Sequence, residues 1–596
     1  MRNNLIFCTL FFISFGTLLS PRLCAQNSTS SLYEQTSEMG TLIVGYEKDV
    51  DAINDFYYPY SVGGYYSSPL TTFKSPVQRK RLQEINNGYL LKLKAANFNT
   101  FSIYGKVDYV LLKKQIEASV LLLNQEEQGY KSLAKYFPFA DSVYGLEALR
   151  RRGTYKDGAL LAAELNATAK MIDSASLDLK KTNKLSSEQL TTASAITLSL
   201  KHRLKGFYQF YMNYEPTFTW WVPKPYEKAD IALGNYAKQF SAKQDSLMAA
   251  KHDKLGIKGL PIGRDELIRQ LNVEMIPYTP EQLIQLAEKE FEFCDTELLK
   301  ASAEMGFGKD WKKAQEKIKN SYVPLGKQPE LIVKLQDDAL AFIKANDLIE
   351  IPALAEETWG MVMMSAERQL VNPFFTGGRE ISISYPTNAM EENDKLMSMR
   401  GNNPYFSRGT VQHELLPGHH YQYYINNRYK SYRESFKTPF SVEGWPLYWE
   451  LLLYEKGFAK TPEEKMGMLF WRMHRCARIL FSLNYHLGKW TPQQCIDFLV
   501  DRVGHERANA EGEVRRSFQG NYSPLYQVAY LTGGLQLFAL KKELVDSGKM
   551  SFKQFHDAVI KENLIPVEMI RATLINQPIT RDFTTSWKFY DKIAKP

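Results

Sequence analysis

The sequence predicts a mainly α protein with one small β element. Apolar residues recur at helical spacing over long stretches, including Val107–Glu126, Gly158–Thr182 and Ser186–Leu204. The best strand candidate is Glu380–Tyr385, where apolar and polar side chains alternate. Helical stretches therefore outnumber strand signals by a wide margin.

Three helix starts in the second half share one design. Each has a threonine as N-cap, then a proline, then Glu or Gln at the third helical position, which forms a capping box. These signatures begin at Thr279, Thr461 and Thr491. They predict helices of about 15–20 residues each.

The strand candidate Glu380–Tyr385 follows Gly377-Gly378, which supplies a turn. Two interpretations are open for this segment. It is either an edge strand to which an extended substrate adds, or a plain structural hairpin.

Composition places the chain among ordinary globular proteins. The 596 residues are 44% hydrophobic and 23% charged, which provides ample material for a core. The net charge of +8 is mild for this length, and the clusters Arg79–Arg81 and Arg150–Arg152 are typical of solvated helix faces. No nucleic-acid-binding motif is present, so we expect no nucleic-acid partner.

Residues 1–25 have the pattern of a secretory signal peptide, with an apolar run at Leu5–Leu19 and cleavage expected after Ala25. Cys24 raises the alternative of a lipoprotein anchor, but Leu23 precedes it where a lipobox has Gly or Ala. No later stretch reaches membrane-spanning length. We therefore expect an exported protein, periplasmic or secreted, without a membrane span.

The remaining chain divides into an N-terminal helical region, 26–270, and a C-terminal helical region, 271–596, which we expect to form one integrated unit. After removal of the signal peptide three cysteines remain: Cys294, Cys476 and Cys495. Three cysteines do not make a disulfide framework. We expect buried free thiols.

The segment Thr410–Gln422 carries the clearest chemistry. It contains His413-Glu414 and comes close to the zinc signature H-E-x-x-H, in which two histidines on one helix face bind zinc and the glutamate is the general base. Position i+4 is Pro417, which cannot donate to the carbonyl of His413 and crowds it. The helix must therefore kink, bulge or end near Leu416.

Two geometries can bring a second histidine to the metal. On an ideal helix His420 returns to within about 20° of His413. If Pro417-Gly418 instead forms a two-residue bulge, His419 takes the place of the missing ligand. The residue pattern leaves both geometries open.

A catalytic zinc needs a third protein ligand, and Glu443 is the best source. It lies 24 residues after His419 and precedes an apolar, aromatic helical run. A glutamate favoured by the helix dipole is the structural alternative. Glu450 is at i+7 on the same face and is placed to hydrogen-bond a metal-binding histidine.

The residue types predict hydrolysis by a metal-activated water. Glu414, adjacent to a ligand in sequence, is the expected general base. The oxyanion formed on a carbonyl gains from a further donor, and the candidates are Tyr530, His486 and either Arg515 or Arg516. An arginine that binds a substrate carboxylate and a solvated helix face are both open for the charged stretch 506–516.

Two motifs together carry a resemblance to a known family. They are His413-Glu414-x-x-Pro417-Gly418-His419-His420, with Gln422, and Glu443-Gly444-Trp445-x-Leu447-Tyr448-x-Glu450. The chain resembles the bacterial family called domain of unknown function 885, and weaker matches run through most of the mature chain.

The resemblance implies a two-lobed, largely helical metallopeptidase-like fold of gluzincin type. It implies His413, His419 and Glu443 as ligands of one zinc ion and Glu414 as the base, and so favours His419 over His420. The family has Asp-x-Gly-Leu-His where this chain reads Ser482-Leu-Asn-Tyr-His486, which leaves any role of His486 open.

We therefore expect an exported zinc metallopeptidase that hydrolyses short peptides, with Glu414 as base and Tyr530 as the oxyanion donor. A metal-dependent hydrolase of another amide or ester is one alternative. A non-catalytic binding protein that retains a metal site is another, although zinc binding alone does not require Glu414. The oligomeric state is not predicted.

Overall fold

The computed structural model describes residues 36–60, 73–154, 156–182, 184–248, 256–257, 259–369, 374–519 and 522–593. The predicted signal peptide and Cys24 lie outside these residues. The described part is mainly helical with one two-stranded sheet, as the sequence predicts. No helix among the described residues is long and apolar enough to cross a membrane.

The first half of the chain consists of helices. In chain order they are α1 (Gly40–Phe56), α2 (Pro76–Ala95), α3 (Ile103–Leu133), α4 (Ala140–Arg151), α5 (Gly158–Lys180), α6 (Ser187–Tyr211), α7 (Pro216–Trp221), α8 (Pro223–Met248) and α9 (Arg264–Val273). The three long helical stretches expected from periodicity correspond to α3, α5 and α6.

The second half holds further helices and the sheet. In chain order they are α10 (Pro280–Glu304), α11 (Trp311–Lys319), α12 (Gln328–Ala345), α13 (Ala353–Glu357), β1 (Gly360–Met363), α14 (Ala366–Gln369), β2 (Glu380–Ile383), α15 (Glu392–Gly401), α16 (Pro404–Glu414), α17 (His419–Asn426), α18 (Pro439–Val442), α19 (Gly444–Glu455), α20 (Pro462–His486), α21 (Pro492–Phe498), α22 (Arg507–Gln519), α23 (Tyr526–Lys541), α24 (Phe552–Ile560) and α25 (Val567–Leu574).

All three predicted capping boxes are present. The hydroxyls of Thr279, Thr461 and Thr491 each accept from the backbone of the third helical residue, whose side chain accepts from the threonine N–H in return. The expected lengths are wrong. Helices α10 and α20 run for 25 residues each, whereas α21 ends after 7 and continues as a π-helical turn, Leu499–Val503. A cap fixes where a helix begins, and tertiary packing decides where it ends.

The strand prediction is confirmed for β2, which ends at Ile383 rather than Tyr385. Its parallel partner β1 was not predicted. On the other edge of β2, Thr376 and Ser382 exchange backbone hydrogen bonds of 3.1 and 2.8 Å across the Gly377-Gly378 turn. The backbone N–H and carbonyl of Ser382 on that edge are therefore already hydrogen-bonded. This agrees with the structural hairpin rather than with strand addition by a substrate.

Buried apolar side chains form one large core, a second core and a small cluster. The large core joins residues of α1 to α3 with most helices of the second half of the chain. The second core lies within residues 133–240. The small cluster packs Ile381 and Ile383 of β2 against Val411 and Leu415. The sheet therefore lies directly on α16, the helix that carries His413.

The three cysteines of the second half, Cys294, Cys476 and Cys495, are free and buried, as predicted. Cys294 lies on α10, Cys476 on α20 and Cys495 on α21. Their thiols act as small apolar side chains in the large core.

A buried ion-pair network joins α3 to the C-terminal half. Arg433 is fully buried and donates to Asp108 of α3 at 2.8 Å and to Glu562 at 2.5 Å. The Tyr432 hydroxyl donates to the same aspartate at 2.7 Å. Removing one partner of such a network leaves an uncompensated buried charge.

We expect Arg433→Ala to lower the free energy of unfolding by about 3–5 kcal/mol, because Asp108 and Glu562 lose their shared cation. Urea denaturation followed by circular dichroism measures the loss. The matched control is Lys437→Ala, since the exposed Lys437–Glu434 pair is 56% and 57% accessible and its loss costs less than about 1 kcal/mol. Equal, small effects of the two substitutions would contradict a structural role for the network.

Candidate metal centre

Helix α16 delivers His413 to the interior and stops one residue later. Asn403 caps it by accepting from the backbone N–H of Tyr405 and Phe406, and Pro404 occupies its first position. Leu415 leaves the helical conformation with φ −107° and ψ −111°, and the Leu416-Pro417 peptide bond is cis. The predicted break is present.

The chain resumes as a second helix, α17, which begins at His419. Neither the ideal continuous helix nor a two-residue bulge describes this segment. Two separate helices meet at a four-residue connection, Leu415–Gly418. The proline prevents continuation, as expected, but the break is larger than a bulge because Leu415 and Gly418 both leave the helical conformation.

Gly418 makes this connection sterically possible. Its N–H donates to the carbonyl of Gln412 at 3.1 Å. A side chain at residue 418 would overlap the carbonyl oxygen of His413. The indole N–H of Trp445 donates to the Pro417 carbonyl at 2.7 Å and fixes the turn from the other side.

His413, His419 and Glu443 converge on one point. Glu443 Oε2 lies 3.7 Å from His413 Nε2 and 3.3 Å from His419 Nε2. The two imidazole rings are 5.0 Å apart and nearly perpendicular. All three side chains are at most 14% accessible, so the three donor atoms meet in a largely desolvated site.

Glu443 sits between α18 and α19 and is held there by close backbone packing. A side chain at Gly444 would overlap the backbone of Gly533 on α23, so α19 and α23 approach at van der Waals distance. The Tyr526 hydroxyl donates to Glu443 Oε1. Glu443 Oε2 is buried and has no hydrogen-bond partner among the described residues.

Charges at this site are strongly coupled. Burial alone would raise the pKa of Glu443, but the nearby imidazoles of His419 and His413 hold that pKa well below its ordinary value. Burial likewise opposes protonation of His413, yet its contacts with Glu443 and Glu450 raise its pKa to about 9. The site is thus arranged to stabilise positive charge beside Glu443.

Glu450 supports His413 from behind, as its spacing predicts. Its Oε1 lies 2.7 Å from His413 Nδ1 and accepts from Arg475 at 3.0 Å. His419 is held in the same manner, since its Nδ1 contacts Gln422 Oε1 at 3.2 Å. In both rings Nδ1 lies against a supporting side chain and Nε2 faces Glu443.

His420 points away from this centre. Its Nδ1 lies 2.9 Å from the carbonyl oxygen of Arg379, and its Nε2 lies 3.1 Å from that of Ala355. Both ring nitrogens therefore face backbone oxygens. The ideal-helix geometry, in which His420 replaces the i+4 histidine, is wrong because α16 ends before the seventh residue is reached.

Glu414 lies beside the converging donors. Side-chain ligand atoms of His413, Glu414 and His419 are all within 4.8 Å of one another. Burial raises the pKa of Glu414. A side chain at Gly377 would overlap the Glu414 carboxylate, so the turn before β2 passes directly over it.

These residues line a cavity of about 420 Å³. Besides the metal-ligand candidates, its wall includes Tyr530, whose ring stacks on His413 at 6.3 Å with an interplanar angle of 12°. Cationic and aromatic side chains make up much of the remaining wall: Arg368, Phe374, Phe375, Trp471, Arg475, Arg478, Arg516, Tyr522 and Tyr526.

The other oxyanion candidates separate into two groups. Arg516 lines the cavity, whereas neither His486 nor Arg515 does. His486 is buried at the end of α20, where burial lowers its pKa to about 4. The segment 482–486, where the chain departs from the family pattern, contributes nothing to the described cavity wall. The departure therefore leaves the metal-ligand candidates untouched.

Several cavity residues escaped the sequence analysis. Tyr526 is one, although it lies four residues before Tyr530 on α23 and so shares a helix face with it. Arg475 and Arg478 are others. Their signal was a run of three arginines, the third being Arg472, in a mostly apolar stretch of α20, where buried charges need partners.

The family model described as "Bacterial protein of unknown function (DUF885)" matches residues 60–574. The chain belongs to this family. The matched range includes every metal-ligand candidate, the cavity and the second hydrophobic core. A search of curated proteins finds no significant match.

Two solved structures are similar to this DUF885 protein. One is described as "a putative lipoprotein of unknown function" from Shewanella oneidensis, with a TM-score of 0.63, 14% identity, and coverage of 90% of this chain and 99% of that one. The other is described as a "putative lipoprotein" from Colwellia psychrerythraea, with a TM-score of 0.56, 15% identity, and coverage of 90% and 98%. These likenesses show a shared fold.

We expect Gly418→Ala to lower the free energy of unfolding by about 1–3 kcal/mol or more, because the new methyl group overlaps the His413 carbonyl. Gly88→Ala is the matched control. It lies in the middle of α2 with open space around it, and should add roughly 0.5–1 kcal/mol. Urea denaturation of the two variants and the wild type tests the pair, and a stabilised Gly418→Ala protein would contradict the proposed steric contact.

Proposed function

We propose that this DUF885 protein is a zinc-dependent hydrolase of peptide bonds in short peptides. The observation that carries the proposal is the convergence of His413 Nε2, His419 Nε2 and Glu443 Oε2, with Glu414 beside them, in the wall of a cavity. Two histidines and a glutamate are a common ligand set of catalytic zinc, which leaves one position for water.

The donor set fits a divalent cation. Glu443 Oε2 is buried without a hydrogen-bond partner among the described residues, which is costly for an ionised carboxylate unless a cation completes its coordination. Each histidine already uses Nδ1 for a supporting contact, which orients Nε2 inward. Zinc matches imidazole and carboxylate donors.

A zinc ion bound by these residues would lower the pKa of water and polarise a carbonyl oxygen. Glu414 supplies the base: its raised pKa makes the carboxylate a better proton acceptor near neutral pH. It accepts a proton from the attacking water and can donate it to the departing amine. A binding protein would not need this residue.

Tyr530 is proposed to stabilise the oxyanion. Burial and the nearby Glu443 raise the pKa of Tyr530, so its hydroxyl keeps its proton and can donate to a carbonyl oxygen that gains negative charge. The guanidinium groups of Arg475 and Arg478 lie 4.9 and 4.2 Å from its ring centroid and hold the ring in place.

The enclosing architecture supports a small substrate. The cavity of about 420 Å³ accommodates a few residues of extended chain rather than a folded protein. We propose that the two hydrophobic cores correspond to the two lobes of a metallopeptidase-like fold.

We also propose that the protein is exported. The signal-peptide pattern of residues 1–25 supports this, and so does the description of the two similar structures as lipoproteins. That description also favours the alternative that the exported protein carries a lipid anchor at Cys24, although Leu23 stands where a lipobox has Gly or Ala.

Glu414→Gln should reduce kcat/KM for peptide hydrolysis by about 10²–10⁴-fold, because the amide cannot accept the proton of the attacking water. The substrate is a mixture of short synthetic peptides, with products followed by mass spectrometry. Zinc content of the variant should equal that of the wild type. Cleavage at the wild-type rate by Glu414→Gln would contradict the assigned base.

His419→Ala should lose bound zinc, whereas His420→Ala should retain it, because only His419 directs a ring nitrogen at Glu443. Zinc is measured by mass spectrometry of metals after dialysis, with circular dichroism as the check on folding. Loss of zinc in His420→Ala alone would overturn the ligand assignment.

A further inference from the structure

Arg478 carries a hydrogen-bond donor that the protein itself does not use. The residue is 2% exposed and lines the cavity. Its Nε donates to Glu513 Oε1 at 2.7 Å. Its Nη1 is buried and has no hydrogen-bond partner within the described part of the chain. Buried guanidinium groups ordinarily satisfy their donors, so this one is available to a ligand in the cavity.

Positive charge also exceeds negative charge in the ion pairs around Arg478. Glu513 contacts both Arg478 and Arg516, at 2.7 and 3.0 Å, so one carboxylate faces two guanidinium groups. Burial would raise the pKa of Glu513, but the two arginines hold it at about 2. The neighbouring His474 and His505 have pKa values lowered by burial, and as neutral rings they do not change this charge. Arg478 therefore shares its carboxylate partner with Arg516.

The carboxylate beside the third buried arginine of the wall is already engaged. Arg475 is paired with Glu450, whose other contact is His413. Glu513 and Glu450 are therefore engaged with protein groups, and Glu414 and Glu443 belong to the candidate metal centre. None of these carboxylates bonds Arg478 Nη1, so this donor is open to a carboxylate of the molecule that enters the cavity.

Arg478 is also at the right distance from the proposed metal centre. Its guanidinium carbon lies 4.2 Å from the Tyr530 ring centroid, which lies 6.3 Å from that of His413. An extended peptide advances about 3.3–3.6 Å per residue, so about three residues or fewer span the separation. A carboxylate near the cleaved bond can reach this arginine.

We propose that Arg478 binds a carboxylate of the substrate, located within about three residues of the cleaved bond. This rests on the proposed peptide hydrolysis. The carboxylate is either the C-terminus of the peptide, in which case the enzyme releases short C-terminal fragments, or an acidic side chain. In both cases the planar guanidinium offers the charge-assisted hydrogen bonds that a carboxylate accepts.

Direct binding tests the subsite without hydrolysis. Calorimetry on the purified protein uses three probes: the dipeptide Ala-Phe, its C-terminal amide, and the amide of Ala-Glu. The wild type should bind at least one of the two carboxylate-bearing probes about tenfold or more tightly than Ala-Phe amide. Tight binding of Ala-Phe identifies a C-terminal carboxylate, and tight binding of Ala-Glu amide identifies an acidic side chain. Equal affinity for all three probes would overturn the proposal.

Variants at residue 478 test whether Arg478 causes the preference for carboxylate. Arg478→Gln should abolish the preference for carboxylate, and Arg478→Lys should keep part of it because the charge remains without the fork. Arg472→Gln is the matched control, since Arg472 lies on the same helix, pairs with Glu290 at 2.5 Å and is absent from the described cavity wall. It should leave the preference unchanged. Full preference in both residue-478 variants, checked for folding by circular dichroism, would contradict the role of this arginine.

Hydrolysis assays with the same acid and amide pairs, extended by an N-terminal fluorophore and two residues, separate the two proposals. Cleavage of acid and amide at equal rates would contradict the arginine subsite and support peptide hydrolysis. Preferential binding of the carboxylate without any cleavage would contradict peptide hydrolysis and support the arginine subsite.

Discussion

The carbonyl oxygen of His413 leaves no room for a side chain at residue 418, and the candidate metal centre depends on that contact. Because Gly418 can approach so closely, α17 starts beside the end of α16, and His419 lies next to His413 instead of one turn further on. The same turn carries the Pro417 carbonyl that Trp445 of α19 binds. The position of Glu443, just before α19, is thereby coupled to the helix break.

Around this break the protein arranges charge in layers. Glu443 lies between the two imidazoles, Glu450 supports His413 from behind, and Arg475 supports Glu450. Further along α20, Arg478 and Glu513 repeat the pairing beside the cavity. Each layer fixes the orientation of the next, which is how a buried polar network defines one geometry. The surplus of positive charge falls where a substrate would enter.

Structural features that depend on a few neighbouring residues could be predicted from the sequence. The threonine caps depend on four consecutive residues. Glu450 follows Glu443 by seven residues, which places both side chains on one helix face, toward His413. Prediction failed where two distant segments set the geometry. The connection at Leu415–Gly418 is defined by its contact with α16 and Trp445. The role of Arg478 depends on its contact with Glu513, which lies on another helix. In the sequence, the charges around Glu513 look like a solvated helix face. Strand β1 has no alternation of its own and forms only against β2.

The proposed zinc ion has three protein ligands, His413, His419 and Glu443. A crystal of the purified protein, with diffraction recorded on both sides of the zinc absorption edge, tests this ligand set directly. We predict a single anomalous peak bonded to His413 Nε2, His419 Nε2 and Glu443 Oε2, at about 2.0–2.2 Å from each. No peak at this position in zinc-supplemented crystals, or a peak bonded to His420 instead, would contradict the account.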